Sequence, residues 1–236
     1  MIRKSGGRTL PVIMLVFGIA ALGLRWGLYA TALDAKGLLI RQHPLALAVT
    51  VLTLGVLIRI ALAVRKQEDT GHAPAGLPAA IGNLAAGAGI LATVLMGTPV
   101  MGGYLASGWR ILGLAAPVCL LLAAVALALG KKPFFLLYVV VCLFFVVHIV
   151  TRYQIWSGNP QLQDYVFSLL GAMALTLFSF YEAAEAAGCG SFRMKQGMGL
   201  AAVYLCTAEL ARSSCPVLYL GGILWVLTGL CSTQKK

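Results

Sequence analysis

Long apolar stretches recur along almost the whole of this sequence and are separated only by short polar connections. A chain that crosses the hydrocarbon of a bilayer as a helix needs about 20 mostly apolar residues, and a helix satisfies its own backbone polar groups. Stretches of this length and frequency do not fit one soluble core. The sequence therefore predicts an all-α, polytopic transmembrane helix bundle. We place about eight spans, at residues 10–28, 44–64, 77–97, 110–129, 133–151, 162–185, 196–212 and 215–230.

The predicted spans use nearly all of the 236 residues, so we expect one integral membrane domain over residues 1–236. Seven spans are the alternative, if the last two form a broken or re-entrant pair. A parallel repeat of four plus four spans, 1–130 and 131–236, is a further hypothesis. The basic start before the first span also fits a cleaved signal peptide, with small residues at Ala30 and Ala32.

Basic residues outnumber acidic ones by 18 to 7, which gives a net charge of +11. In a soluble protein this excess would suggest a nucleic-acid partner, but here the basic residues lie in short clusters between apolar spans. We interpret them as signals for orientation in the bilayer. With both termini in the cytoplasm, the inner side carries eleven basic residues and the outer side six. This excess agrees with the positive-inside rule, by which cytoplasmic loops are enriched in Lys and Arg. We expect the lipid bilayer as the partner of these residues, and we expect no nucleic-acid partner.

Small residues repeat every fourth position in the third span, at Ala85, Gly89, Thr93 and Gly97. This spacing places them along one helix face, where a second helix can approach closely. We predict that the stripe is a packing surface. It also leaves open a protein partner in the membrane or a homo-oligomer.

Polar and aromatic residues collect at the predicted outer ends of the spans. His148 and Arg152 share one helix face, as do Glu209 and Arg212. Arginine forks and aromatic walls at this level are suited to a shallow site for a small anionic or zwitterionic solute. The predicted roles are an anion fork from the arginines, a cover from Trp156, and contacts with the polar or cationic end of the solute from His148 and Glu209. The candidate ligand residues are Arg110, His148, Arg152, Trp156, Asp164, Glu209 and Arg212.

The alternative for this outer layer is an interfacial belt, in which Trp and Arg anchor helix ends and Arg212 neutralises Glu209. At the predicted inner side, Glu182 and Glu185 lie one turn apart at the end of the sixth span, where the helix dipole disfavours carboxylates. Arg59, Arg193 and Lys195 lie at the same level, and we predict an inner ion-pair layer of Arg59, Glu182 and Glu185. A proton or cation relay is the alternative.

No motif for catalysis, metal or cofactor binding is present in the sequence. The three His lie apart, the six Cys form no CxxC pair, and there is no HExxH, P-loop or GxSxG motif. We predict no metal, no cofactor and no catalytic residue, although His148 with Glu209 would make one acid/base pair. Solute transport or capture is the favoured function, an accessory or scaffold subunit is the second, and a membrane-embedded enzyme is the third.

The segments 159–165 (NPQLQDY) and 178–184 (FSFYEAA) resemble stretches of multi-span proteins from anaerobic Gram-positive bacteria. The resemblance implies a multi-pass protein of a bacterial plasma (inner) membrane. It implies no activity, ligand or catalytic residue.

Overall fold

The computed structural model describes residues 6–32, 43–65, 76–96, 104–156 and 162–232 of the chain. These residues form helices and contain no strand, which confirms the predicted all-α class. Each predicted span corresponds to one α-helix. The helices are α1 (Gly6–Thr31), α2 (Pro44–Arg65), α3 (Leu77–Leu95), α4 (Tyr104–Ala128), α5 (Phe135–Trp156), α6 (Leu162–Ala186), α7 (Phe192–Glu209) and α8 (Pro216–Ser232), with a 3₁₀ turn (Leu210–Arg212) between the last two.

Proline and glycine mark several helix ends. Pro44 and Pro216 occupy the first position of their helices, where the missing N–H costs nothing. Gly130 and Gly188 follow α4 and α6 with φ of +70° and +83°. In both turns the next residue donates its N–H to a carbonyl five residues back, for example Cys189 to Ala184 at 3.0 Å. This bonding closes the last helical turn, and the positive φ favours glycine.

Six of the described helices, α1 to α6, are long and apolar enough to cross a membrane. The apolar part of α8 is shorter, and α7 carries charged residues at both ends. α7 packs against α1, α2, α6 and α8 and is buried along most of its length. A helix surrounded by other helices does not need an apolar face toward lipid, so its lower hydropathy agrees with its central place. The number of membrane crossings and the cytoplasmic location of the termini stay predictions.

Helices α3 and α8 approach each other closely at their glycines, and this contact confirms the predicted packing role of the small residues. A Cβ on Gly89 would lie only 2.7 Å from the carbonyl oxygen of Val217. A Cβ on Gly221 would lie 2.7 Å from the carbonyl oxygen of Ala85. Gly97 lies outside the described residues. Because α3 uses this face within the bundle, the stripe is not free for another protein.

Candidate functional site

Buried polar side chains meet at one end of the bundle, where α1, α5 and α7 end and α4 and α8 begin. We call this group the arginine layer. Its charged and histidine members are almost fully enclosed, with Arg25 2%, His148 1%, Arg152 5% and Glu209 3% exposed. Burial to this degree exceeds what an interfacial anchor needs, because an anchor keeps its polar group among lipid headgroups or water. The layer consists of Arg25, Trp109, His148, Arg152, Glu209 and Cys215.

Arg25 and Glu209 form a buried ion pair between α1 and α7. The Nη1 of Arg25 lies 3.0 Å from the Oε2 of Glu209 and also donates to the carbonyl oxygen of Ala208 at 2.7 Å. The guanidinium lies 4.4 Å from the centre of the Phe167 ring. Since opposite charges and several hydrogen bonds compensate the loss of water, this pair is a stable element of the bundle rather than a free cation.

His148 is held by the indole of Trp109. The Nε1–H of Trp109 donates to the Nδ1 of His148 at 3.2 Å, and the two ring planes are inclined by 28° with their centres 6.4 Å apart. An indole N–H can only donate, so the bond needs an unprotonated Nδ1. The neutral imidazole then carries its proton on Nε2. Among the described residues, none accepts a hydrogen bond from this Nε2–H.

Arg152 is buried without a carboxylate partner among the described residues. Its Nη2 donates to the Sγ of Cys215 at 2.6 Å. Cys215 lies just before α8 begins. A thiol has an ordinary pKa of about 8.5 and is mostly protonated at neutral pH, so Cys215 supplies no counter-charge, and none of the other described residues supplies one to Arg152.

His148 and Arg152 lie four residues apart on α5 and so share one face. Both present hydrogen-bond donors, and the charge of Arg152 makes the face positive. Chemically, this face is suited to an oxyanion.

The structure separates other predicted ligand residues from this face. Arg110 is exposed on α4, and Arg212 is exposed with its guanidinium 4.9 Å from the centre of the Tyr29 ring. Both arginines are exposed and therefore lie outside the buried face of His148 and Arg152. Trp156 and Asp164 lie in α5 and α6, but their side chains are outside what the structure describes.

Glu209 is also placed differently from the prediction. Its carboxylate faces Arg25, and the Nδ1 of His148 faces Trp109. The acid/base pair of His148 with Glu209, considered for an enzyme, is therefore not assembled. The role of Glu209 in reading the cationic end of a solute stays a prediction.

The sequence interpretation missed Cys215 as the neighbour of Arg152. A cysteine in an apolar segment is usually a small apolar residue, so it gave no functional signal. Trp109 and Arg25 were not among the predicted ligand residues. A weak signal existed in the connection from Ser213 to Pro216, where a polar turn places Cys215 at the level of the arginine layer.

The opposite end of the bundle contains a second buried ionic cluster, which we call the lysine cluster. The Nζ of Lys195 lies 2.8 Å from the Oε1 of Glu182 and 2.7 Å from the Oε2 of Glu185. Its side chain is 3% exposed, that of Glu182 13% and that of Glu185 33%. Arg59 is exposed on α2. The cation of this layer is thus Lys195 rather than Arg59, because α7 packs directly against α6.

Within the described residues, no group of three or more His, Cys, Asp or Glu side chains could hold a metal ion. Comparison with protein-family models, with curated proteins and with solved structures finds no match to this chain. The proposals below therefore rest on the contacts of the chain itself.

Proposed function

We propose that this membrane protein binds a small anionic or zwitterionic solute at the arginine layer, as a transport or solute-capture component. The observation that carries the proposal is the buried guanidinium of Arg152, whose described polar partner is a neutral thiol. An ionised group enclosed in apolar surroundings costs several kcal/mol unless a counter-charge is present. A bound anion would supply that counter-charge.

The contrast between the two buried arginines supports this assignment. Arg25 is already neutralised by Glu209 and bonded to a backbone carbonyl, so it gains little from a further anion. Arg152 lacks such a partner among the described residues. It lies one helical turn, roughly 6 Å, before the end of α5, so a solute would need to enter the bundle only to that depth.

The scaffold alternative predicts surfaces for another protein rather than an internal site. The small residues that suggested such a surface, Ala85 and Gly89, face α8 of the same chain. This use of the stripe within the bundle favours the solute-binding function.

The test is a thermal-unfolding screen of the purified protein in nanodiscs of a zwitterionic lipid. The panel contains short carboxylates, inorganic anions and amino acids. A ligand at a hundred times its Kd stabilises the folded protein by about 2.7 kcal/mol. We expect at least one anion to raise the Tm of the wild type, and Arg152→Lys to weaken its binding about tenfold or more, because lysine keeps the charge but loses the planar fork.

Arg110→Lys is the matched control, since this arginine is exposed at the same end of the bundle. It should bind the ligand like the wild type. A panel without any stabilising ligand, or a ligand that Arg152→Lys and Arg110→Lys affect equally, would overturn the proposal. In that case, stable co-purification with one membrane protein, independent of Arg152, would favour the scaffold function.

A further inference from the structure

The arginine layer offers donors but no free acceptor of strong negative charge among the described residues. Arg152 can only donate, and the Nε2–H of His148 is a donor as long as Trp109 occupies Nδ1. The carboxylate of Glu209 lies against Arg25. The face on α5 therefore combines one positive charge, without a counter-charge among the described residues, with two kinds of N–H donor.

Two aromatic rings lie next to His148, one from α5 itself and one from α4. The ring of Phe144 lies with its centre 5.9 Å from that of His148, and the Trp109 ring is also adjacent. Phe144 and Trp109 are both buried. A ligand group beyond the oxyanion would thus meet aromatic carbon. A second negative charge there would lose its water without gaining a partner, and an ammonium group would gain only a cation–π contact, which compensates less than a carboxylate partner does.

We infer that the ligand is a monocarboxylate with an apolar tail and no ammonium group, and that Trp109 is a positioning residue which holds His148 as the second donor. This inference rests on the proposed function, because it names the solute class for the site around Arg152. A carboxylate matches the guanidinium fork and has a second lone pair for the Nε2–H of His148. An amino acid of the same size would bring an ammonium group to a site where the described carboxylate is already paired.

Trp109 determines which nitrogen of His148 donates. If the indole N–H were absent, the imidazole could place its proton on either nitrogen, and the donor toward the ligand would be lost for part of the time. Removing the N–H while keeping an aromatic ring should therefore weaken ligand binding through His148. In His148→Gln the amide carries its own N–H donors, so its ability to donate does not depend on the indole of Trp109.

The experiment measures binding by calorimetry to the full chain in phosphatidylcholine nanodiscs, with propionate and alanine as the matched pair. The two ligands differ by the ammonium group. We expect propionate to bind roughly 100-fold more tightly, because a buried ammonium without a partner is penalised strongly. Hexanoate and decanoate extend the acid series and show where the natural ligand comes from. If the site takes a short acid from water, propionate should bind most tightly. If it takes a fatty acid from the membrane, the longer acids should bind more tightly than propionate.

The role of Trp109 is tested by a double-mutant cycle with Trp109→Phe and His148→Gln. We expect Trp109→Phe to weaken propionate binding about tenfold in the wild type and to have little further effect in the His148→Gln protein. A purely structural role of Trp109 would weaken binding equally in both backgrounds, and that result would overturn the positioning role.

The outcomes separate this inference from the proposed function. If alanine binds as tightly as propionate and Arg152→Lys weakens both, the monocarboxylate assignment is overturned while the solute site remains. If neither these ligands nor the wider panel binds in an Arg152-dependent way, both proposals fail. Arg152-dependent binding of any acid of the series, without binding of alanine, supports the assignment.

Discussion

Replacing Lys195 by methionine should destabilise this protein more than any other single charge removal in the lysine cluster. Its ammonium is the shared partner of Glu182 and Glu185, at 2.8 Å and 2.7 Å. Methionine keeps an unbranched apolar side chain but removes the charge and leaves two carboxylates facing each other. The loss of one partner of a buried ion pair costs about 3–5 kcal/mol. We expect Lys195→Met to lie in that range.

Removing either carboxylate should cost much less than removing the ammonium. In Glu182→Gln the ammonium keeps its bond to Glu185, and in Glu185→Gln it keeps its bond to Glu182. One hydrogen bond is weakened in each case, which corresponds to about 1 kcal/mol. The effect of Glu185→Gln should be the smaller, because solvent screens that carboxylate more. Lys132→Met, at an exposed lysine, is the control and should stay within about 0.5 kcal/mol.

Thermal unfolding in detergent, followed by tryptophan fluorescence, measures these differences. At about 2–4 °C per kcal/mol for a chain of this size, Lys195→Met should lower the Tm by roughly 6–20 °C. The triple variant with both glutamines and methionine should recover part of this loss, since it leaves no buried charge. If Lys195→Met unfolds at the temperature of the Lys132→Met control, the buried cluster is not the stabilising contact that the structure shows.

Three further predictions concern the packing, the second ion pair and the topology. Gly89→Ala should lower the free energy of unfolding by about 1–3 kcal/mol, because its Cβ would lie 2.7 Å from a backbone oxygen. Gly23→Ala, where a Cβ would meet no atom within 4 Å, should be neutral or stabilising. The reverse order in thermal unfolding would contradict the α3–α8 packing. Arg25→Met and Glu209→Gln should be strongly non-additive in a double-mutant cycle, and strict additivity would exclude a direct pair. An engineered thiol at Asp69 should stay unreactive toward an impermeant reagent added outside cells, and labelling there would reverse the predicted orientation.

The helices could be predicted from the sequence because the apolar stretches determine them locally. The second predicted span, 44–64, differs by one residue from α2. The seventh differs more, since α7 begins at Phe192 rather than at residue 196. The prediction began the span after Lys195, as if a charge had to lie outside the bundle. The structure instead neutralises Lys195 with two carboxylates of α6, so the helix continues through it.

The partners within the candidate site could not be predicted, because they depend on distant parts of the chain. Local spacing suggested Arg212 for Glu209, three residues away. The structure pairs Glu209 with Arg25, 184 residues away, because α1 packs against α7. The face of His148 and Arg152 was predictable, since both residues lie on one helix. That Trp109 and Cys215 would meet this face follows only from how α4, α5 and α8 pack.

The most direct test of the central claim is the distance between a bound carboxylate and the guanidinium of Arg152. Solid-state NMR can measure it from the dipolar coupling between ¹³C-carboxylate propionate and ¹⁵N-labelled arginine in the membrane-embedded protein. Charge-assisted N–H···O bonds of about 2.8 Å place the carboxylate carbon roughly 4 Å from the guanidinium nitrogens. We predict this coupling in the wild type and its loss in Arg152→Lys. Bound propionate without the coupling, or with a coupling that persists in Arg152→Lys, would contradict the account.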